Sequence, residues 1–274
     1  MIKTCAFCGQ EKLLTKEHVW PSCFLKRIDK GHAHYSPKSG KVHGADYIVS
    51  DVCQECNNEH LAVLDDYFCT LYDNVLSSPL GPNTSVVLHY DYNLLCRVLL
   101  KIAYNTARCA GSDIKPFVRL LPYIVHGGFC PLGVALIAEI VSPSYIEDST
   151  GPIVVVKEIR PTMYRSILGA LMTPHGGAVL VRIIAVNSFF FHLLLSHNEE
   201  DLNSFDMAKS EFLTKVLGTV ALDPNSTEVS LSSSPQDSLS SMLPLLKTHK
   251  EQYAEFFRKQ EEKYKSRNKK NSQP

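Results

Sequence analysis

Three short motifs near the start of the chain decide its fold: CAFC at residues 5–8, EHVWP at 17–21 and CQECNN at 53–58. Two Cys-x-x-Cys pairs flank a Glu-His pair, and an Asn directly follows the last Cys. Four thiolates in two such pairs are the usual shell of a structural zinc ion, which is tetrahedral and leaves no open position for chemistry. The sequence therefore predicts a zinc ion that folds a small module. Its four predicted ligands are Cys5, Cys8, Cys53 and Cys56.

Composition excludes several other classes of protein. The 274 residues include 28 basic and 28 acidic side chains, so bulk charge gives no argument for a nucleic-acid partner. A hydrophobic fraction of 45% is ordinary for a globular protein. No apolar leader follows Met1, and no run of about 18 apolar residues occurs, so we expect no membrane partner and a cytoplasmic location.

The chain has nine cysteines, five of them outside the two pairs. Disulfide frameworks are typical of small secreted domains, which this chain does not resemble. The five stand among apolar neighbours, and free cysteine behaves as a small buried hydrophobe. We therefore expect burial without a disulfide for Cys23, Cys69, Cys96, Cys109 and Cys130.

Apolar periodicity and turn residues predict an α+β fold. The clearest helix runs from 92 to 109, where apolar residues recur with a 3.6-residue period. Segments rich in Val, Ile and Phe then follow in hairpin order, which favours an antiparallel sheet. We expect four segments: a zinc module at 1–78, a larger α+β domain at 85–222, a Ser-rich flexible linker at 223–245 and a basic tail, helical or disordered, at 246–274.

The ordered combination of motifs resembles the HNH endonuclease family in its zinc-stabilised form, with a treble-clef ββα-metal core. The stretch LTKEHVWP at 14–21 resembles the strand that carries the general base of that family. The CNN at 56–58, followed by a predicted helix, resembles its metal-binding helix. The resemblance covers roughly residues 1–75, about a quarter of the chain.

The resemblance implies a catalytic site for phosphodiester hydrolysis beside the zinc. His18 would be the general base, because neutral imidazole accepts a proton from water near pH 7. Glu17 and Asn57 would bind one Mg²⁺ or Mn²⁺ ion through oxygen atoms, which suit hard cations. His60 lies one helical turn beyond Asn57 and could join the ion, and Asn58 is a further alternative. The chain departs from the family at Ile48, where many members carry Asn.

DNA is the substrate that the resemblance implies, and RNA is an alternative that the sequence leaves open. Residues 11–45 carry seven basic and three acidic side chains, a local patch suited to a phosphate backbone. The larger domain is expected to regulate the nuclease, to dimerise or to sense a signal. HNH proteins of this kind resemble bacterial or phage-borne nucleases, including effectors of anti-phage defence. The competing hypothesis is a zinc-binding module that has lost catalysis and serves in nucleic-acid or protein interaction.

Overall fold

The structure, a computed structural model, describes most of the chain. The described residues are 2–28, 34–36, 41–43, 48–148, 155–159, 164–172, 178–197 and 202–237, with Arg258, Lys259 and Glu262. Lys30 and Lys38 of the predicted basic patch, and most of the predicted basic tail, lie outside them.

Fourteen strands and six α-helices follow one another along the described chain. The strands are β1 Ile2–Thr4, β2 Glu11–His18, β3 His34–Ser36, β4 Lys41–His43, β5 Ile48–Cys53, β6 Ser85–His89, β7 Val134–Ser142, β8 Ser144–Asp148, β9 Val155–Ile159, β10 Tyr164–Met172, β11 Ala178–Val186, β12 Phe189–Ser196, β13 Val220–Ala221 and β14 Glu228–Asp237. The helices are α1 Ser22–Leu25, α2 Ala62–Leu71, α3 Tyr92–Ala110, α4 Lys115–Val118, α5 Leu121–His126 and α6 Leu202–Lys215. Among the described residues, no helix is long and apolar enough to cross a membrane.

A small antiparallel sheet of order β1-β2-β5 brings together the three motifs at 5–8, 17–21 and 53–58. Within it Leu14 pairs with Cys53, and His18 pairs with Ile48. The register shifts between Thr15 and Glu17. The long hairpin therefore places the Glu-His pair beside the start of β5, and the second cysteine pair beside the opposite end of β2.

A helical segment continues directly from the second cysteine pair. It opens as a π-helical turn, Cys56–Leu61, and becomes regular in α2. The helix predicted after residue 58 is present, and one of its faces packs into the core through Leu61, Leu64, Phe68 and Leu71. The segment holds Asn57 in the first turn after β5, as the sequence predicts.

Two cysteines that we expected to be unlinked form a disulfide. The bond joins Cys23 of α1 to Cys69 of α2, with Cα atoms 6.4 Å apart. The prediction of unlinked burial is therefore wrong for this pair. Their 46-residue separation in sequence hides a proximity that arises because α1 packs on α2 through Phe24 and Phe68, whose ring centroids are 5.4 Å apart.

The larger sheet has seven strands in the order β10-β11-β12-β7-β14-β6, with β13 also on β7. Most neighbours are antiparallel, but β14 runs parallel to β7, so the sheet is mixed rather than purely antiparallel. β14, Glu228–Asp237, lies within the Ser-rich stretch at 223–245 that we expected to be a linker. The correction has a physical reason: Val229 and Leu231 alternate with exposed residues, and Leu231 is buried opposite Val86 of β6.

α3 is the central element of the fold and confirms the predicted helix. The Asp91 side chain accepts a hydrogen bond from the Leu94 backbone N–H at 2.9 Å, which caps the start. Gly111 ends the helix with φ of 69°, the left-handed conformation that glycine adopts freely. One hydrophobic core extends from Cys5 to Leu231 and includes most of α3, so the cysteine module and the sheet share it. α6 covers the other face of the sheet, with Phe205 and Phe212 against it.

Three side chains of α3 attach it to the cysteine module. The Tyr104 hydroxyl donates to the Ala6 carbonyl at 3.0 Å, and its ring meets Phe7 edge-on at 5.3 Å. Arg108 donates to the Asp51 carboxylate at 2.6 Å and lies over the Phe7 ring. Asn105 donates to the His18 carbonyl at 3.5 Å. The helix thus forms a wall behind the first motifs of the chain.

Candidate metal centre

The four cysteines predicted as zinc ligands come together in space. Their sulfurs all lie within 4.8 Å of one another, and Cys8 Sγ is 3.8 Å from Cys53 Sγ. A tetrahedral zinc with Zn–S distances of about 2.3 Å requires sulfurs about 3.8 Å apart. Cys5, Cys53 and Cys56 are buried, and Cys8 is half-buried. The cluster can therefore hold a metal ion such as zinc.

Backbone N–H groups face the Cys5 sulfur and favour its thiolate form, whereas burial raises the pKa of Cys8 and of Cys56. Burial raises the pKa of Cys5, but hydrogen bonds from the backbones of Cys8, Cys53 and Phe7 outweigh it and bring the pKa down to about 7. The Cys53 backbone N–H donates to Cys5 Sγ at 3.3 Å. Gly9, directly after Cys8, has a positive φ of 70°, a conformation that glycine adopts freely. These features are typical of a loop that binds a metal through thiolates.

Glu17, a predicted ligand of the catalytic ion, faces the protein interior. Its carboxylate is 2.5 Å from the Lys101 ammonium, which also binds Asp65 of α2. Lys101 is fully buried, and Glu17 is 4% exposed. Burial raises the pKa of Glu17 and of Asp65, and the Lys101 charge opposes that rise. Two carboxylates thus share one ammonium from α3.

His18, the predicted general base, ends β2. The residue is half-buried, and its Nδ1 atom is buried without a hydrogen-bond partner among the described residues. Its carbonyl accepts from Asn105, and its charge would lie close enough to Asp65 to act on the pKa of that carboxyl. The backbone of His18 is therefore held, while its Nδ1 atom lies in the interior and makes no hydrogen bond with the described residues.

Asn57 joins the start of the helical segment to the Glu-His strand. Its side-chain amide nitrogen donates to Thr15 Oγ1 and to the Lys16 carbonyl, both at 2.9 Å. Lys16 is the residue directly before Glu17. Asn57 therefore spans the position of the register shift in β2 and holds the strand against the helix.

The alternative ligands of the catalytic ion lie elsewhere. The ring of His60 contacts that of His126 edge-on, with centroids 4.9 Å apart. Asn58 is exposed. Outside the four-cysteine cluster, the described residues form no second group of three or more His, Cys, Asp or Glu side chains with ligand atoms within 4.8 Å. Thus Asn57 contacts the strand that carries Glu17 and His18, the Glu17 carboxylate binds Lys101, and His60 contacts His126 of α5.

Sequence reasoning missed Lys101 and Asp65. Lys101 stands in the run VLLKIA at 98–103, where a lysine interrupts the apolar positions of the helix. A lysine among residues that must be buried is a signal for a buried carboxylate partner, because an unpaired charge in a core is costly. The sequence alone does not identify which carboxylates pair with Lys101.

No family model, no curated protein and no solved structure matches this chain. The HNH resemblance therefore depends on the sequence motifs alone.

Proposed function

We propose that the chain is a metal-dependent endonuclease of the HNH type that hydrolyses phosphodiester bonds in DNA. The observation that carries the proposal is the hydrogen bond from Asn57 to the Lys16 carbonyl, because it places the start of the helix against the strand of Glu17 and His18. A hairpin strand and a helix start, both attached to four cysteines, are the arrangement that a treble-clef ββα-metal core requires. By the same resemblance the proposal includes a cytoplasmic role in defence against phage, with residues 85–222 as a regulatory or dimerising domain.

Each residue has a definite role in this proposal. His18 accepts a proton from the attacking water through a nitrogen of its imidazole ring. Asn57 offers its side-chain oxygen to Mg²⁺ or Mn²⁺, since the hydrogen bonds described above use only its nitrogen. When bound, the ion supplies positive charge to the phosphate and to the leaving 3′-oxygen. The four cysteines hold zinc and keep the strand and helix in register.

Glu17 can bind the ion only if its carboxylate is shared with, or released by, Lys101. The described contacts bind Glu17 to that ammonium at 2.5 Å. Asp65 binds the same ammonium from the other side, so it could keep Lys101 paired when Glu17 turns away. The proposal thus requires a rearrangement of one side chain.

The same ion pair favours a second candidate function. The Lys101 ammonium already neutralises the two carboxylates, as a metal ion would. A buried ion pair of this kind can be purely structural and needs no metal ion. In this candidate the module holds zinc, has lost catalysis and binds nucleic acid or protein.

Cleavage of supercoiled plasmid tests the two candidates. Purified chain is incubated with Mg²⁺, with Mn²⁺ or with EDTA, and His18→Ala is compared with the matched control His89→Ala, whose exposed imidazole lies outside the motifs. The nuclease proposal expects nicking with either metal, retained in the control and abolished in His18→Ala at unchanged zinc content. Parallel reactions on single-stranded RNA separate the RNA alternative. Absence of cleavage with either substrate, or cleavage by His18→Ala, would sink the nuclease and leave the binding module.

A further inference from the structure

An irregular strand borders a cavity at one end of the seven-stranded sheet. Ser233 of β14 pairs with Ile140 of β7. The next pair joins Asp237 to Ser142, so β14 carries three residues over a stretch where β7 carries one. One of the three is Pro235, which has no backbone N–H to donate to a neighbouring strand, and extra residues of this kind bulge out of a sheet. Beside this bulge lies a cavity of about 610 Å³, which the junction of β7 with β8 and the loop before β6 also line.

The backbone of the bulge is held at two points. The Ser233 N–H donates to the Thr84 carbonyl at 2.9 Å, which ties the start of the bulge to the loop before β6. Gly218, between α6 and β13, lies directly against the bulge. A Cβ atom on Gly218 would meet Ser234 Cβ at 2.5 Å and Ser234 Cα at 2.7 Å, and the φ of 83° at Gly218 also favours glycine. The wall of the cavity is therefore built in advance of any ligand.

The side chains that line the cavity are polar and carry little charge. They include four serines and the amide of Asn83, and among the described residues Asp237 is the one charged side chain of the lining. Tyr145 adds an aromatic ring and is 58% exposed. Ser142 is 5% exposed, and its hydroxyl has no hydrogen-bond partner among the described residues. The cavity thus offers hydroxyls, one carboxylate and one flat ring, within the size range of small-molecule sites.

These groups favour an uncharged ligand that carries hydroxyls. A carboxylate has two oxygens and about four acceptor positions, so Asp237 can accept hydrogen bonds from two adjacent hydroxyls and keep its other contacts. A phosphate is disfavoured, because the one charge of the lining is negative. The exposed face of Tyr145 offers a surface on which a ring can stack. A ligand hydroxyl would also give the buried Ser142 hydroxyl the hydrogen bond that it lacks.

We propose that this cavity binds an uncharged ring compound with two adjacent hydroxyl groups, the chemistry shared by a nucleoside and a free sugar. Asp237 accepts hydrogen bonds from the hydroxyl pair, Tyr145 stacks on the ring, and Ser142 binds a further polar group of the ligand. The site shares no residue with the four-cysteine cluster or with the motif at 17–21. It does not rest on the proposed nuclease activity, and its binding can be measured without DNA.

Titration of the full chain, followed by ligand-observed NMR, tests the proposal. The probes are adenosine, ribose and glucose, each beside the 2-deoxy form that lacks one hydroxyl of the pair. We expect at least one probe to bind, and its deoxy form to bind about tenfold more weakly, because a hydrogen bond to the carboxylate is lost. Binding of adenosine without ribose or glucose identifies a nucleoside site, and binding of either sugar identifies a sugar site. Absence of binding by every probe at millimolar concentration, or tighter binding of adenosine monophosphate than of adenosine, would overturn the proposal.

Two pairs of variants locate the binding. Tyr145→Ala should weaken it about tenfold through the lost stacking, whereas Phe129→Ala, which removes a fully exposed ring outside the cavity, should leave it unchanged. Gly218→Ala should abolish it, because the new methyl group displaces the bulge at Ser234. Its control is Gly111→Ala, which has a similar φ of 69° but open space around the added atom.

Circular dichroism verifies that each variant is folded. Because Tyr145 is largely exposed, its replacement leaves no buried void, so Tyr145→Ala tests the site even if Gly218→Ala does not fold. Binding at the wild-type strength in Tyr145→Ala would show that the ligand lies elsewhere and would refute this site.

Discussion

The four-cysteine module and the seven-stranded sheet bury charge in opposite ways. In the module, Glu17 and Asp65 both bind the buried Lys101 ammonium of α3. In the sheet, Arg182 is 2% exposed, and its Nε and Nη2 atoms have no hydrogen-bond partner among the described residues. Desolvation alone lowers the pKa of Arg182 to about 10. The module thus has its buried carboxylates paired by an ammonium from α3, whereas the described part of the sheet leaves a cation without a carboxylate.

This difference indicates where a substitution should lower the free energy of unfolding most. Breaking a buried ion pair leaves an uncompensated charge and lowers the free energy of unfolding. Replacing a poorly compensated charge by an apolar side chain of similar size often leaves that free energy unchanged or raises it. The module should therefore depend on its metal and its ion pairs. The sheet should depend on apolar packing, which is continuous along β12, where every residue is buried.

Removing the metal should have the largest effect. Structural zinc sites contribute about 10–16 kcal/mol of apparent binding free energy, which is folding free energy when the site does not exist in the unfolded chain. We expect Cys53→Ser, or a strong chelator, to abolish the cooperative unfolding of the module, as followed by circular dichroism, and elemental analysis to give one zinc per wild-type chain. Cys109→Ser should retain both zinc and the transition. A Cys53→Ser protein that melts like the wild type would refute a structural role for the cluster.

Lys101→Met should have the next largest effect. It leaves Glu17 and Asp65 buried side by side without a cation, and such a loss costs about 3–5 kcal/mol. The free energy of unfolding in urea measures it. The matched control combines Lys101→Met with Glu17→Gln and Asp65→Asn, which removes all three charges and should recover much of the loss. If the single variant loses less than the triple variant, the charges are not what stabilises this contact.

Arg182→Met should have the smallest effect and the opposite sign. Replacing the buried guanidinium should leave the free energy of unfolding unchanged or raise it by up to about 1–4 kcal/mol, since a desolvated cation is removed. Ile184→Ala, two residues along the same strand and fully buried, is the control and should lose about 2–5 kcal/mol through the cavity it leaves. A loss in Arg182→Met as large as in the control would show that Arg182 has a partner beyond the described residues.

Local patterns in the sequence predict much of the module. Thiolate spacing identifies the metal ligands, because two sulfurs three residues apart can bind one ion and four sulfurs fill its shell. Apolar periodicity and the residues that end each segment predict the strand of the Glu-His pair and the helix after Cys56. α3 was recognisable from its apolar period and from Gly111. In each case the information lies within a few residues along the chain.

Contacts between distant residues were not predictable in the same way. The Cys23–Cys69 disulfide depends on how α1 packs on α2, and cysteine burial alone does not distinguish a linked from an unlinked thiol. The Ser-rich stretch forms β14 because β6 and β7 offer backbone partners, which outweighs the low strand propensity of its composition. Parallel pairing of β14 with β7 likewise depends on chain topology.

The sequence by itself determined the four-cysteine cluster and the short distance between the Glu-His strand and Asn57, since ligand spacing and strand pairing are local rules. Only the tertiary structure decided that Glu17 turns inward to Lys101, a residue 84 positions further along the chain. The orientation of Glu17 follows from its burial. A carboxylate removed from water loses its hydration, and it therefore pairs with the cation that the packing of α3 brings nearby.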